Sequence, residues 1–268
     1  MKEFKNKNVC QSKKPIFIFG ILSIIVLMSC STAKDYNTMD VDDLFKAGKE
    51  RFEDEDWLEA QKIFDLIKLQ HPTSKYADDA QYYMAESYFH QHKYILAASN
   101  YNSLRRYYPT SEYSKVSLFK TGMCFNELSL PFDRDQEYTN QAINAFTEFK
   151  YAYAGDSLAS EADKRIKDLR NKLANREFFT AEIYRKLYSP QSALIYYDVV
   201  INEYTDTDFY QRAFVEKIKV LNEMQRYDEA IGIAQLYNLK FSKGEYASTV
   251  KDLEKTALEQ KKLMEKAE

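Results

Sequence analysis

The sequence predicts an all-α solenoid built from helix pairs, and three observations predict it. One pattern is stated twice between Gly48 and Tyr113: Gly48, Ala60, Phe64, Ile67 and Pro72 return 37 residues later as Ala85, Ala97, Tyr101, Leu104 and Pro109. The segments around the prolines are nearly the same, HPTSKY at 71–76 and YPTSEY at 108–113. Six Gly and five Pro in 268 residues leave too few sharp turns for a sandwich or barrel. Self-similarity at a fixed period of this size marks a repeat array. A small residue lets two helices approach closely, an aromatic four positions after the partner's small residue fills the gap, and a proline ends the second helix.

That is the logic of tetratricopeptide (TPR) repeats, and about five pairs can be traced, over about 40–75, 77–112, 114–154, 174–207 and 211–243. In the first pair, Asp40 to Asp43 place acidic residues at a helix start, where the dipole favours them. Leu44, Ala47, Gly48 and Phe52 give that helix its apolar stripe, and Trp57, Ala60, Ile63, Phe64 and Ile67 give one to its partner, with Asp56 as N-cap. The second pair uses Tyr82, Met84, Ala85, Tyr88 and Phe89, then Ala97, Tyr101 and Leu104. The third starts with Leu118, Gly122 and Phe125, and its return helix (Ala142, Phe146, Phe149) is delayed by eight residues around Ser129–Asp135. An insertion between the helices of a solenoid maps to one face and is often a contact loop. Ala159 to Arg176 reads as a separate helix of mixed charge. The fourth pair then follows with Ala181, Tyr184, Ala193, Tyr197 and Val200, its second helix opened by Ser189 as N-cap and Pro190 at the first position. Phe214, Ile218, Leu221, Ala230 and Ala234 carry the fifth. Lys243-Gly244 interrupts the array, so 40–245 is the solenoid and 246–268 a terminal helix, serving as a cap or fraying as a tail.

Residues 1–29 read as an address. Lys2, Lys5, Lys7, Lys13 and Lys14 precede an apolar run from Ile16 to Leu27, which is short for a membrane span and has the layout of a secretory signal. Leu27-Met28-Ser29-Cys30 is similar to a bacterial lipobox, in which the cysteine is lipidated and becomes the first mature residue. In an ordinary signal peptide Cys30 would be incidental, but it stands where the apolar run stops and a polar tether, 30–39, begins. Acyl chains on Cys30 would hold the protein on a membrane, since each buried methylene contributes about 0.8 kcal/mol. By resemblance to bacterial sorting rules, Ser31 after it favours the outer membrane. Cys10 leaves with the signal, so Cys124 is the one remaining thiol, placed as a small core residue between Met123 and Phe125.

Charge and motifs narrow the function classes. The formal charge is −3, and it becomes −7 once residues 1–29, with five Lys and one Glu, are removed. Binding to nucleic acid needs the opposite sign. There is no P-loop, Gly-x-Ser-x-Gly or His-Glu-x-x-His, so no enzyme, cofactor or metal site is expected. His90 and His92 fit a solvated inter-helix turn, and Asp133-Arg134-Asp135 a charged loop. What remains is surface. The first helix of each pair lines the inner face, which places Phe45, Lys49, Phe52, Tyr82, Glu86, Phe89, Phe119, Met123 and Asn126 on a peptide-binding groove. The competing role for each aromatic is packing between repeats.

Three segments are the most characteristic: PTSKYADDAQYYMAESYF at 72–89, Asp133-Arg134-Asp135-Gln136, and the run from Ala162-Asp163-Lys164-Arg165-Ile166 through Leu169-Arg170-Asn171-Lys172-Leu173-Ala174 to Glu177, and a generic TPR protein has no reason to share the last two. Together with the lipobox they make the mature chain resemble the BamD (YfiO-type) lipoproteins of outer-membrane β-barrel assembly. Ala154-Gly155-Asp156-Ser157, where the family has a proline-bearing turn, and the longer charged C-terminal end depart from it. The resemblance implies a non-enzymatic subunit on the periplasmic face of the outer membrane. Its implied partners are a BamA-like barrel subunit and unfolded outer-membrane proteins, the latter met by the N-terminal repeats. The implied docking residues are Arg134, Arg165, Arg170, Lys172 and Glu177. A different TPR lipoprotein, acting as a cell-envelope scaffold or in carbohydrate uptake, is the competing reading.

Overall fold

The structure, a computed structural model, describes residues 35–267. The signal segment and Cys30 lie outside the described residues. The chain divides into two units, Met1–Met39 and Asp40–Glu268. In the described part of the first, a single 3-10 turn, Tyr36–Thr38, is opened by Asp35, whose Oδ1 accepts from the Asn37 amide at 3.1 Å.

The second unit contains eleven α-helices and, among the described residues, no strand. They are α1 Val41–Glu53, α2 Trp57–Gln70, α3 Ala77–His90, α4 Tyr94–Tyr107, α5 Tyr113–Leu128, α6 Glu137–Ala152, α7 Leu158–Lys186, α8 Pro190–Glu203, α9 Phe209–Glu223, α10 Tyr227–Lys240 and α11 Ala247–Ala267. Each helix packs on the next in sequence, and α1 also touches α3, α3 touches α5, and α7 touches α9. First helices therefore form one layer and second helices another, as in a TPR array. Asp40 and Asp56 cap α1 and α2 through their carboxylates, accepting from the Asp43 and Glu59 amides at 2.9 and 3.4 Å.

The near-identity of HPTSKY and YPTSEY has a physical cause. Tyr76 stacks on Phe45 of the preceding repeat at 4.3 Å and donates to Asp42 Oδ1 at 2.7 Å. Tyr113 repeats both contacts, stacking on Tyr82 at 4.2 Å and donating to Asp79 Oδ1 at 3.1 Å. Phe178 and Phe209, at 5.4 Å, form the same pair further along. All three pairs are 31 residues apart, so they serve three of the four joins between neighbouring repeats at one structural position.

The turns between paired helices are made without glycine. Glu55, His92, Tyr188 and Gln225 take φ values of 60°, 58°, 55° and 60° at equivalent places in four of the pairs. For a residue with a Cβ the left-handed region costs roughly 1–2 kcal/mol. A glycine also frees the unfolded chain, which offsets about 0.4–1 kcal/mol of that. Tyr188 is 94% exposed and loses no packing. Tyr188→Gly is thus expected to stabilise the protein by about 0.5–1 kcal/mol. Ile195→Gly, exposed within helix α8, should instead cost about 0.5–1 kcal/mol. Urea denaturation midpoints moving in the same direction for both would refute this account of the turns.

Two sequence expectations need correcting. The helix expected over 159–176 and the first helix of the fourth pair are one helix, α7, of 29 residues. No Gly or Pro lies within it to break it. Its first half buries Ala162 and Leu169 beside the partly buried Ile166, and its second half buries Ala174, Phe178 and Ala181. At about 100° per residue these two faces lie roughly a third of a turn apart, so one helix closes the third pair and opens the fourth. Pro190 is at the first position of α8, but the Ser189 hydroxyl does not cap it; it donates to Ser192 Oγ at 3.0 Å. At the other end, α11 buries Val250 and Ala257 against the last pair, and Lys261 Nζ lies 2.5 Å from Asp228 Oδ1, so this helix packs as a cap. Cys124 is fully buried, and burial pushes its thiol up to about 12, leaving it unreactive at neutral pH.

Candidate functional site

The inner face of the first two repeats is an aromatic wall, though not with the membership the spacing suggested. Phe45 and Tyr82 are spent on the inter-repeat stacks. Glu86 and Phe119 are each 7% exposed and belong to the interior, which corrects their placement on a groove. Glu86 accepts from the Tyr101 hydroxyl and from Lys120 Nζ at 3.1 Å, since a buried carboxylate must be paired. Phe119 packs edge-on to Phe146 and Phe149, Met123 packs beside that cluster, and Asn126 is half-buried at the end of α5, its carbonyl accepting from the Ser129 amide at 3.2 Å.

Lys49, Phe52 and Phe89 remain on the wall. Lys49 Nζ sits 3.9 Å from the Tyr83 ring centre. Phe52 meets Trp57 at 5.0 Å, Tyr83 at 5.2 Å and His90 at 5.9 Å, all edge-on. His90 lies flat on Trp57, with ring centres 4.7 Å apart and planes 6° from parallel. Phe89 carries Lys120 Nζ at 4.8 Å. Sequence spacing assigns Trp57 to its helix's core stripe and His90 to a turn, and gives Tyr83 no separate role. The result is a set of preorganised aromatic faces bordered by two ammonium groups, which suits apolar and aromatic side chains of an extended chain.

A second surface forms where two characteristic stretches of the sequence meet. The loop at 129–136 folds onto α7: Lys172 Nζ donates to Ser129 Oγ at 2.7 Å, and Phe132 sits edge-on to Phe179 at 5.3 Å. Inside the loop, Gln136 is buried and its Nε2 donates to the carbonyls of Pro131 and Arg134 at 2.7 and 3.0 Å. Asp135 Oδ1 accepts from the Glu137 amide at 2.9 Å, at the start of α6. Arg134 is thereby left exposed on the surface.

The other residues expected to dock a partner are engaged within the chain. Arg165 donates to Glu161 at 2.7 Å. Arg170 grips the α8–α9 turn through Asp206 Oδ1 and the Glu203 carbonyl, at 2.7 and 2.6 Å, and this guanidinium holds the Asp206 carboxyl below its usual range. Glu177 is half-buried, and burial raises its carboxyl above the usual range. Burial likewise lowers the Lys172 ammonium. Exposed instead is an apolar stripe down the second half of α7, Phe179 at 42%, Ile183 at 40% and Leu187 at 67%. Steps of four put these on one face. Leu130 of the loop is 46% exposed, and Arg176 and Lys186 on α7 are exposed beside the stripe. Few monomers leave such a stripe bare on a packed helix.

Residues 37–236 match the family described as YfiO, outer membrane lipoprotein. The chain belongs to the YfiO family. The match spans both surfaces and ends before α11. Among similar YfiO-type proteins, one from Caulobacter vibrioides, named outer membrane protein assembly factor BamD, is 22% identical over 233 residues, covering 83% of this chain and 76% of that protein. A Vibrio cholerae protein of the same name is 21% identical over 232 residues, with 82% and 96% covered. The TPR2AB domain of yeast Sti1, solved with pHSP90, aligns over 81% of this chain and 97% of its own at 13% identity, with a TM-score of 0.38. Among the described residues no helix is long and apolar enough to cross a membrane.

Proposed function

We propose that this YfiO-family chain is a lipid-anchored scaffold in the assembly of outer-membrane β-barrel proteins, held at the periplasmic face by acyl chains on Cys30. The observation that carries the reading is the bare apolar and basic face made by the 129–136 loop and α7. It combines the two sequence stretches that separate this chain from a generic TPR protein. A BamA-like barrel subunit docks there, with Phe179, Ile183 and Leu187 as apolar anchors and Arg134, Arg176 and Lys186 as a basic rim. Unfolded outer-membrane proteins meet the aromatic wall of the first two repeats. The scaffold does no chemistry of its own; it brings a precursor and an insertion site together, and tethering and docking raise their effective concentration.

Two experiments test this. The mature chain is expected to co-purify a barrel protein with periplasmic domains; recovery of only peptidoglycan or polysaccharide components would favour the envelope-scaffold reading. Cys30→Ser is expected to move the protein from the outer-membrane fraction to the soluble envelope fraction. Retention on the membrane would remove the lipid anchor from the account.

A further inference from the structure

The first two junctions between successive repeats involve equivalent positions, and the second has been left open. At the first, between α2, α3 and α4, Gln81 is buried and its Nε2 donates to the backbone carbonyl and to Oδ1 of Asn100, both at 2.9 Å. Lys68 Nζ lies over Met84 Sδ at 3.4 Å and fills the space beside that bridge. At the second, between α4, α5 and α6, the positions of Gln81 and Asn100 hold Leu118 and Ala145, which cannot bridge. A cleft of about 220 Å³ opens there.

The substitutions that open the cleft also change its chemistry. Where the first junction has Leu96, Ser99 and Asp65, the second has Gln141, Asn144 and Asn102, and all three carboxamides line the cleft. Lys68 and Ser103 are replaced by Arg105 and Glu148, an ion pair that ties α4 to α6 at its edge. Gln141 Nε2 is drawn to Glu137 at 3.0 Å, and Asn102 Oδ1 accepts from Thr121 at 3.5 Å. That leaves Asn102 Nδ2, Gln141 Oε1 and both ends of the Asn144 carboxamide unpaired among the described residues. Leu118, Ala145 and Phe125 supply an apolar floor. A carboxamide offers a donor and an acceptor side by side, the complement of a peptide unit.

We infer that this cleft binds an extended polypeptide strand, with the three carboxamides reading its main chain and one apolar side chain seated on Leu118 and Ala145. Alternating apolar and polar residues suit it, since every second side chain of a strand points the same way. Unfolded barrel precursors have that alternation. To that extent the inference rests on the function proposed above, and it adds a site on the side of the second helices, away from the aromatic wall.

The probe is a fluorescent peptide of about ten alternating apolar and polar residues, with its twin carrying N-methyl groups on alternate amides. Anisotropy titration should show the twin binding about tenfold more weakly to the wild-type chain. Leu118→Gln with Ala145→Asn rebuilds the bridge of the first junction and should also weaken the unmodified peptide about tenfold. Gln141→Ala with Asn144→Ala touches only the rim, so it reports even if the core pair disturbs folding, and a loss of about fivefold is expected. Phe52→Ala with Phe89→Ala reports separately on the aromatic wall. Binding that falls with the wall variants but stays within about twofold in both cleft variants overturns the cleft and leaves the precursor function standing. Equal binding of the N-methylated twin, or no binding by the wild-type chain, overturns it as well.

Discussion

Gly122→Val is expected to destabilise the protein by about 2–3 kcal/mol, whereas Gly232→Ala should stabilise it by about 1 kcal/mol. Both glycines are within helices, and propensity alone would favour replacing either. The difference is what a side chain would meet. A Cβ on Gly122 would lie 2.7 Å, 2.8 Å and 3.0 Å from three ring atoms of Phe146, and that ring is fully buried. Nothing lies within 4 Å of a Cβ on Gly232. Helix propensity favours valine over glycine by a few tenths of a kcal/mol, so a loss at 122 has to come from the steric cost. If the ring is the cause, Phe146→Leu should absorb part of it, and the double variant should be more stable than the sum of the singles by at least about 1 kcal/mol. Additive losses in urea denaturation would mean that the close approach of α5 and α6 is not what Gly122 provides. Gly48 and Phe64 stand in the same relation, with the same 2.7 Å approach, which is why the pattern repeats with small residue and aromatic together.

That pairing is also why the fold was legible. A 37-residue period survives because each repeat must receive the next, and Tyr76 and Tyr113 do so through one stack and one hydrogen bond apiece. The faces of individual residues were less legible. Phe45 and Tyr82 occupy positions that point both inward and toward the following repeat, and helical spacing cannot separate the two. The register of the first helix puts Glu86 on the wall, but Tyr101 and Lys120 pair with it in the interior. The stripe of Phe179, Ile183 and Leu187 was present as four-residue spacing, yet such spacing ordinarily signals core. Its exposure follows from α7 serving two repeats: the side that packs on α6 in the first half has no helix left to cover it in the second.

The docking face gives the other large effect. Ile183→Asp combined with Leu187→Asp is expected to weaken binding of the barrel subunit at least about 100-fold, while costing the folded state about 1–2 kcal/mol, from the part of Ile183 that is buried and from two carboxylates at a helix C-terminus. That cost leaves the protein folded, so the loss of affinity reads the docking face. A bound partner would have to desolvate two carboxylates against its own apolar surface, and interface energy concentrates in a few such buried anchors. Phe179 is less suitable for this test, since it also packs on Phe132 and its loss would loosen the loop. Leu239→Asp, 83% exposed on α10, is the matched control and should leave affinity unchanged. The basic rim acts differently. Charge reversal of Arg134, Arg176 and Lys186 should slow association and flatten its salt dependence while changing dissociation little, because rim charges steer more than they hold. Surface plasmon resonance separates these two signatures. Equal affinity of the double aspartate variant and the Leu239→Asp control would move the docking site off α7.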